Sequence, residues 1–296
     1  MVWQRFGNYL LNNQRSMLLI VLILSVLPVV SSLVAIIVAL VTLRKGWQLG
    51  GAALIASLCP RVLVFLLGDL NVFLLLTALF SNVLIWVLAL ILRRSLSWAV
   101  VVQSAAGIGF LVLLLVHWIY PGITDWWLQN LTADVQQAQP LFGSSLPADF
   151  PARTARVATG IQLTAFSALS LLWLVLARWW QAVLFNPGQL QSELHNVRLS
   201  RSFVLAVAIV LLIALLSHNG IMLDVVPVLV LPAIAAGLSL MHYFAATKKY
   251  AIRWLVGFYI VIVVLFAYLV GILFAVGLVD SVMNLRARLN PKKHEV

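Results

Sequence analysis

The sequence predicts an all-α fold, a polytopic bundle of transmembrane helices, and three observations predict it. Of its 296 residues, 64% are hydrophobic and only 9% are charged, against roughly a quarter charged in an ordinary soluble domain. Mean hydropathy is +1.09. The apolar residues are gathered in runs of about 20 or more, the length that crosses some 30 Å of hydrocarbon as helix. Too few charges remain to cover a water-facing surface. A barrel is excluded as well, because its strands would alternate apolar and polar residues in segments of about 10.

Each span follows in chain order. A polar start carrying Arg5 and Arg15 leads into apolar residues 17–43, interrupted by Pro28. The run continues past Ser31-Ser32, where a cleaved leader would end, so it reads as a retained anchor. Further spans are expected at 47–68, 70–92, 98–120, 157–185, 202–217, 222–246 and 254–279. Residues 121–156 hold Pro121, Pro140, Pro147 and Pro151, with Trp126, Leu131 and Val135 at rough helical spacing. They read as an interfacial helix followed by an irregular stretch. In 186–201, the helix-breaking Asn186-Pro187-Gly188 precedes Leu190, Leu194, Val197 and Arg201, which share a helical face and predict an amphipathic surface segment. The whole is one membrane domain, 1–296: N-terminal spans in 17–120, an extracytoplasmic loop in 121–156, C-terminal spans in 157–279 and a basic tail in 280–296.

Charge placement orients it. The formal charge is +11, and the basic residues stand in short runs at span ends, as Arg44-Lys45, Arg93-Arg94 and Lys248-Lys249 do, the pattern of cytoplasmic loops beside anionic lipid. With no long basic stretch interleaved with aromatics, nucleic acid is not the expected partner; the lipid bilayer is. One crossing per apolar run would leave Arg5, Arg15, Arg286, Arg288, Lys292 and Lys293 outside. A hairpin at Pro28, and another within 254–279, would return both termini to the cytoplasm. The expected count is therefore eight to ten spans.

Few residues offer chemistry. With eight acids and a single Cys59, neither a two-metal site nor a cysteine-based zinc site has its ligands. No Walker A loop, HExxH, GxSxG or dinucleotide-binding glycine motif is present. Neither enzyme activity nor a cofactor is expected, and any transport must draw on a gradient or a partner protein. Arg61, after Pro60 inside a span, stands where charge is costly: it either faces a cavity, coordinating an anion or acting as a gate, or pairs with a buried acid such as Asp69. Asn82, mid-span, and Gln162, within another span, are amides that either line a polar cavity or hydrogen-bond between helices. His218-Asn219-Gly220 opens a proline-interrupted span through Asp224, Pro227 and Pro232, where freed backbone groups line a cavity or the helix is merely kinked. Arg61, Asn82, Gln162 and Asp224 are thus the candidate solute-binding set. His117 and His242 read as interfacial.

Several local patterns carry a family resemblance: Ser31-Ser32 followed by Ala39-Leu40-Val41-Thr42-Leu43-Arg44-Lys45-Gly46; Phe185-Asn186-Pro187-Gly188 with Leu194-His195-Asn196-Val197-Arg198-Leu199; and Gly237-Leu238-Ser239 with Gly277-Leu278-Val279-Asp280 and Leu285-Arg286-Ala287-Arg288. In these the chain resembles the YybS-like family of bacterial inner-membrane proteins, which is distantly similar to the solute-binding membrane components of energy-coupling factor transporters. The resemblance implies a multi-pass protein of the bacterial inner membrane with both termini inside. It brings no substrate with it. The positions that match are Asn186, Pro187, Gly188, Arg198, Asp280, Arg286 and Arg288. Together with Arg201 they form a second candidate set, for docking a protein partner or anionic lipid. Two functions follow as expectations: transporter-like binding of a small solute, or a membrane scaffold that docks cytoplasmic proteins or anionic lipid.

Overall fold

The structure, a computed structural model, describes residues 2–27, 31–68, 71–142, 147–217, 220–247 and 251–289. Among the described residues the elements are helices and none is a strand: α1 (Val2–Asn12), α2 (Gln14–Val26), α3 (Ser31–Lys45), α4 (Trp47–Leu66), α5 (Val72–Ser95), α6 (Trp98–Ile119), α7 (Ile123–Phe142), α8 (Phe150–Ala155), α9 (Ala158–Phe185), α10 (Gln189–Leu194), α11 (Arg201–Ser217), α12 (Gly220–Thr247), α13 (Ala251–Val264), α14 (Phe266–Met283) and α15 (Leu285–Leu289). Five of them, α4, α5, α6, α9 and α12, are long and apolar enough to cross a membrane. A sixth is reached if α1 and α2, bent by 112° at their junction, count as one span. α11 and the described parts of α13 and α14 are shorter apolar helices. Apolar side chains stay bare along the helices, with Leu66 at 73% and Val263 at 80% exposure, a surface suited to hydrocarbon rather than water.

The chain forms two compact units, Met1–Ala105 with Phe166–Val197, and Ala106–Ala165 with Arg198–Val296. In the first unit α2 packs on α3 and α4, α3 on α4 and α5, and α4 on α5. Its core includes Met17, Val21, Ile37, Val38, Leu40, Ala53, Ile85 and Leu88, all fully or nearly fully buried. Gly46, at φ +95°, makes the reversal between α3 and α4, a backbone region that favours glycine. Four residues on, Gly50 lies so close to Thr42 that a Cβ there would collide with its hydroxyl. Arg93 closes the same corner by donating to the Leu43 carbonyl at 2.8 Å, satisfying a C-terminal acceptor of α3 that the helix itself leaves open. α5 begins at Asn71, whose side chain accepts from the Phe73 amide at 2.8 Å, a standard N-cap.

In the second unit α12 packs along α14, and α11 packs on both. Small residues permit the closest approach: a Cβ on Gly277 would strike the Ala233 carbonyl, and one on Gly237 the Leu273 carbonyl, as in small-residue crossings of membrane helices. Pro227 and Pro232 lie inside α12, which continues through both.

Two segments differ from the sequence reading. The amphipathic helix expected over 186–201 stops at Leu194. Val197 and Leu199 are instead buried in a non-helical stretch, and the Leu199 amide donates to Ser281 Oγ at 3.1 Å; pairing with α14 outcompetes continuation of the helix. The apolar run 254–279 is broken at Leu265 (φ −116°, ψ 38°), between α13 and α14. Pro28 lies outside the described residues, but helix ends at Val26 and resumes at Ser31.

Candidate functional site

In the first unit a cleft of about 270 Å³ opens between α3, α4, α5 and α9. Arg61 enters it from α4, Thr77, Ser81 and Asn82 from α5, and Phe166, Ser170 and Trp173 from α9. Helical spacing explains the set: 78, 81, 82 and 85 share one face of α5, and 166, 169, 170 and 173 share one face of α9. Arg61 spends one donor on the Ser57 carbonyl at 2.9 Å. Among the described residues no carboxylate lies within ion-pair distance of it. Asp69, its expected alternative partner, lies outside them. A guanidinium has five N–H donors, so most of its capacity is left for an anion. Asn82 is buried and its amide donates to the Ala78 carbonyl at 2.8 Å.

Gln162 and Asp224 belong to the second unit and do not line this cleft. Gln162 is half-buried. Asp224, in the second turn of α12, is the centre of a separate polar cluster. His117 Nε2, in the last turn of α6, donates to Asp224 Oδ2 at 2.8 Å, with side chains 9% and 2% exposed. The Gly160 amide, in the first turn of α9, donates to Oδ1 at 2.6 Å, and the Thr159 hydroxyl also bonds the carboxylate. Thr159 in turn accepts from Trp127 Nε1 at 3.0 Å. The first turn of a helix has unpaired amides and a positive dipole end, so this anion lies where a helix receives one best. The arrangement requires glycine, because a Cβ on Gly160 would overlap the Asp224 carbonyl oxygen. His218 and Asn219 lie outside the described residues.

The docking set divides by burial. Asn186, Pro187, Gly188, Arg201 and Arg288 are exposed, and Arg198 is half-buried, donating to the Ser281 carbonyl at 3.3 Å. Asp280 and Arg286 are turned inward: Arg286 Nε donates to Asp280 Oδ2 at 3.1 Å and its Nη2 to Ser239 Oγ at 3.1 Å. Burial pushes the Arg286 guanidinium below its ordinary value, and Asp280 opposes that shift. In the first unit, Arg178 binds Glu193 through two nitrogens, Nε at 3.1 Å and Nη2 at 2.5 Å, and Trp98 Nε1 donates to the same carboxylate at 3.2 Å.

Sequence reasoning singled out Arg61, Asn82 and Asp224 but missed their partners. His117 read as an interfacial residue, and Gly160 as nothing. The available signal was slight: Thr159-Gly160 is a small, polar start to a long apolar helix. Phe166 and Trp173 were indistinguishable from lipid-facing aromatics. Comparison of the chain with protein-family models, with curated proteins and with solved structures finds no match.

Proposed function

We propose that the chain is a multi-pass protein of the bacterial inner membrane, YybS-like, that binds a small anionic solute in the Arg61 cleft, in a transporter-like role without an ATPase of its own. One observation carries this: a permanently charged side chain in an apolar helix lines a cleft and, among the described residues, meets no acid. Charge at such depth is costly unless it is used or paired. The size of about 270 Å³ lies just below the usual range for sites of drug-sized ligands, which favours a small molecule. Phe166 and Trp173 supply aromatic faces, and Ser81, Asn82 and Ser170 supply polar contacts. A flat carboxylate matches that lining: the acid group to Arg61, the ring to the aromatic walls.

The topology that accompanies this proposal places both termini in the cytoplasm. If α2, α3, α4, α5, α6, α9, α11, α12, α13 and α14 each cross, the chain has ten spans, within the eight to ten expected. Arg5, Arg15, Arg44, Lys45, Arg93, Arg94, Arg178, Arg198, Arg201, Arg253, Arg286 and Arg288 then fall on the inner side, against Arg153 and Arg156 outside. That asymmetry supports it. α2 and α13 have 13 and 14 residues, about 20 Å of helix, so the bilayer thins or flanking residues snorkel around them.

The second reading, a scaffold docking cytoplasmic proteins or anionic lipid, is favoured by the exposed turn Asn186-Pro187-Gly188 and the exposed Arg201 and Arg288. A thermal-shift screen of the detergent-purified protein with carboxylates, vitamins, nucleobases and amino acids separates the two. Solute binding predicts a stabilising carboxylate whose effect vanishes in Arg61→Ala. The scaffold predicts no stabilising solute, and a copurifying protein that is lost when residues 286–296 are deleted.

A further inference from the structure

A chain that moves a solute without a nucleotide site needs another source of work, and the second unit holds a group suited to it. His117 and Asp224 meet at 2.8 Å with side chains 9% and 2% exposed. The Gly160 amide and the Thr159 hydroxyl supply further donors to the carboxylate. The three donors work against the cost that burial places on the carboxylate's charge. With His117 protonated the pair is neutral overall. Without that proton it carries a single negative charge, placed against the first turn of α9, where the unpaired amides and dipole accept it. Both states are therefore tolerated in a buried site, which is what a proton carrier requires. While Asp224 is ionised it can only accept, so Nε2 keeps its hydrogen and the exchanging proton sits on Nδ1.

We propose that His117 and Asp224 form a proton-binding site that takes and releases one proton at His117 Nδ1 as the chain works. In the topology proposed above, all three helix ends that build it lie at the extracytoplasmic face, where the proton is taken up. Helix α9 supplies Gly160 to this site and Phe166, Ser170 and Trp173 to the cleft, so one helix contributes to both. The link to a solute rests on the proposed function; the protonation does not.

The neighbours of the pair are consistent with a single exchanging group. From α6 the titratable group is His117, and from the first turn of α9 there is none. α7 reaches the cluster through Trp127, while its Asp125 and Asp134 are exposed; so are Arg153 and Arg156, which precede α9. α11 has its one charge, Arg201, at its opposite end, and α14 has Tyr268 exposed and Asp280 paired with Arg286. Arg253 on α13 is exposed and Tyr259 bonds His242. His218 lies outside the described residues and is removed in the test.

The chain has five histidines. In full-length protein with His195, His218, His242 and His294 changed to glutamine and ring-¹⁵N histidine incorporated, His117 is the only labelled residue. Reconstituted in nanodiscs, it should give imidazolium nitrogen shifts at pH 5 and, at pH 9, the neutral ring protonated on Nε2. Introducing Asp224→Asn should leave the ring neutral at both pH values, and Thr159→Val should preserve the change. One unvarying protonation state in the Asp224 protein, or a neutral ring protonated on Nδ1 at pH 9, overturns the proposal without any variant of the pair having to fold. Carboxylate binding in the Arg61 cleft is measured separately at fixed pH, so failure of one reading is not failure of the other.

Discussion

Arg286 donates to Asp280 at 3.1 Å with side chains 4% and 0% exposed, so the first basic residue after the last apolar helix is turned into the bundle rather than toward water. Its second hold is Ser239, on α12. A short helix of five residues, α15, is thereby fastened to α12 and to the C-terminal end of α14.

Breaking that pair from one side strands a buried charge, which costs about 3 to 5 kcal/mol. Asp280→Ala should therefore lower the melting temperature of the detergent-solubilised protein sharply. The double variant Asp280→Leu with Arg286→Met should recover more than half of the loss. Because the pair is buried, the wild-type melting temperature should change little between 0.05 and 0.5 M salt.

The α12–α14 crossing makes a second prediction. Gly277→Ala places a Cβ against the Ala233 carbonyl, whereas Gly271 on the same helix faces open space. Gly271→Ala should be neutral or stabilising by up to about 1 kcal/mol, as expected for helix propensity. Gly277→Ala should reduce folded yield and melting temperature well below it. Equal behaviour of the two would mean that α12 and α14 do not touch at this point.

How much of this was legible in the sequence depends on the range of the interaction. Hydrophobic run length marked α4, α5, α6, α9 and α12 to within a few residues, because a span is a local property of composition. Arg61 and Asp224 stood out for the same reason: charges are conspicuous among apolar neighbours. The partners did not, since His117 is 107 positions from Asp224 and Gly160 is 64 positions from it; only packing brings them together. The stop of α10 at Leu194 was equally hidden, because Ser281, which accepts the extended segment, is 82 positions beyond Leu199. Helical periodicity in 190–201 was a true local preference overruled by a distant hydrogen bond.

Orientation has its own check. Reporter fusions truncated after Gly46, after Ser95 and after Arg288 should all report cytoplasmic, and one after Gly122 should report extracytoplasmic. A fusion after Gly46 that reports outside inverts the topology, and with it the side from which the proton site is reached.

The central claim is that Arg61 holds an anion, and calorimetric titration tests it directly. Nicotinate and benzoate are compared with the neutral amides of the same shape, nicotinamide and benzamide, in wild type, Arg61→Lys and Arg61→Met. A charge-assisted hydrogen bond contributes about 1.5 to 3 kcal/mol, equivalent to roughly a 10- to 150-fold change in affinity. Wild type should therefore bind a carboxylate tighter than its amide by that factor. Arg61→Met should abolish the difference, and Arg61→Lys should keep part of it. Equal affinity for acid and amide in wild type, or a preference for the acid that survives in Arg61→Met, would contradict the account.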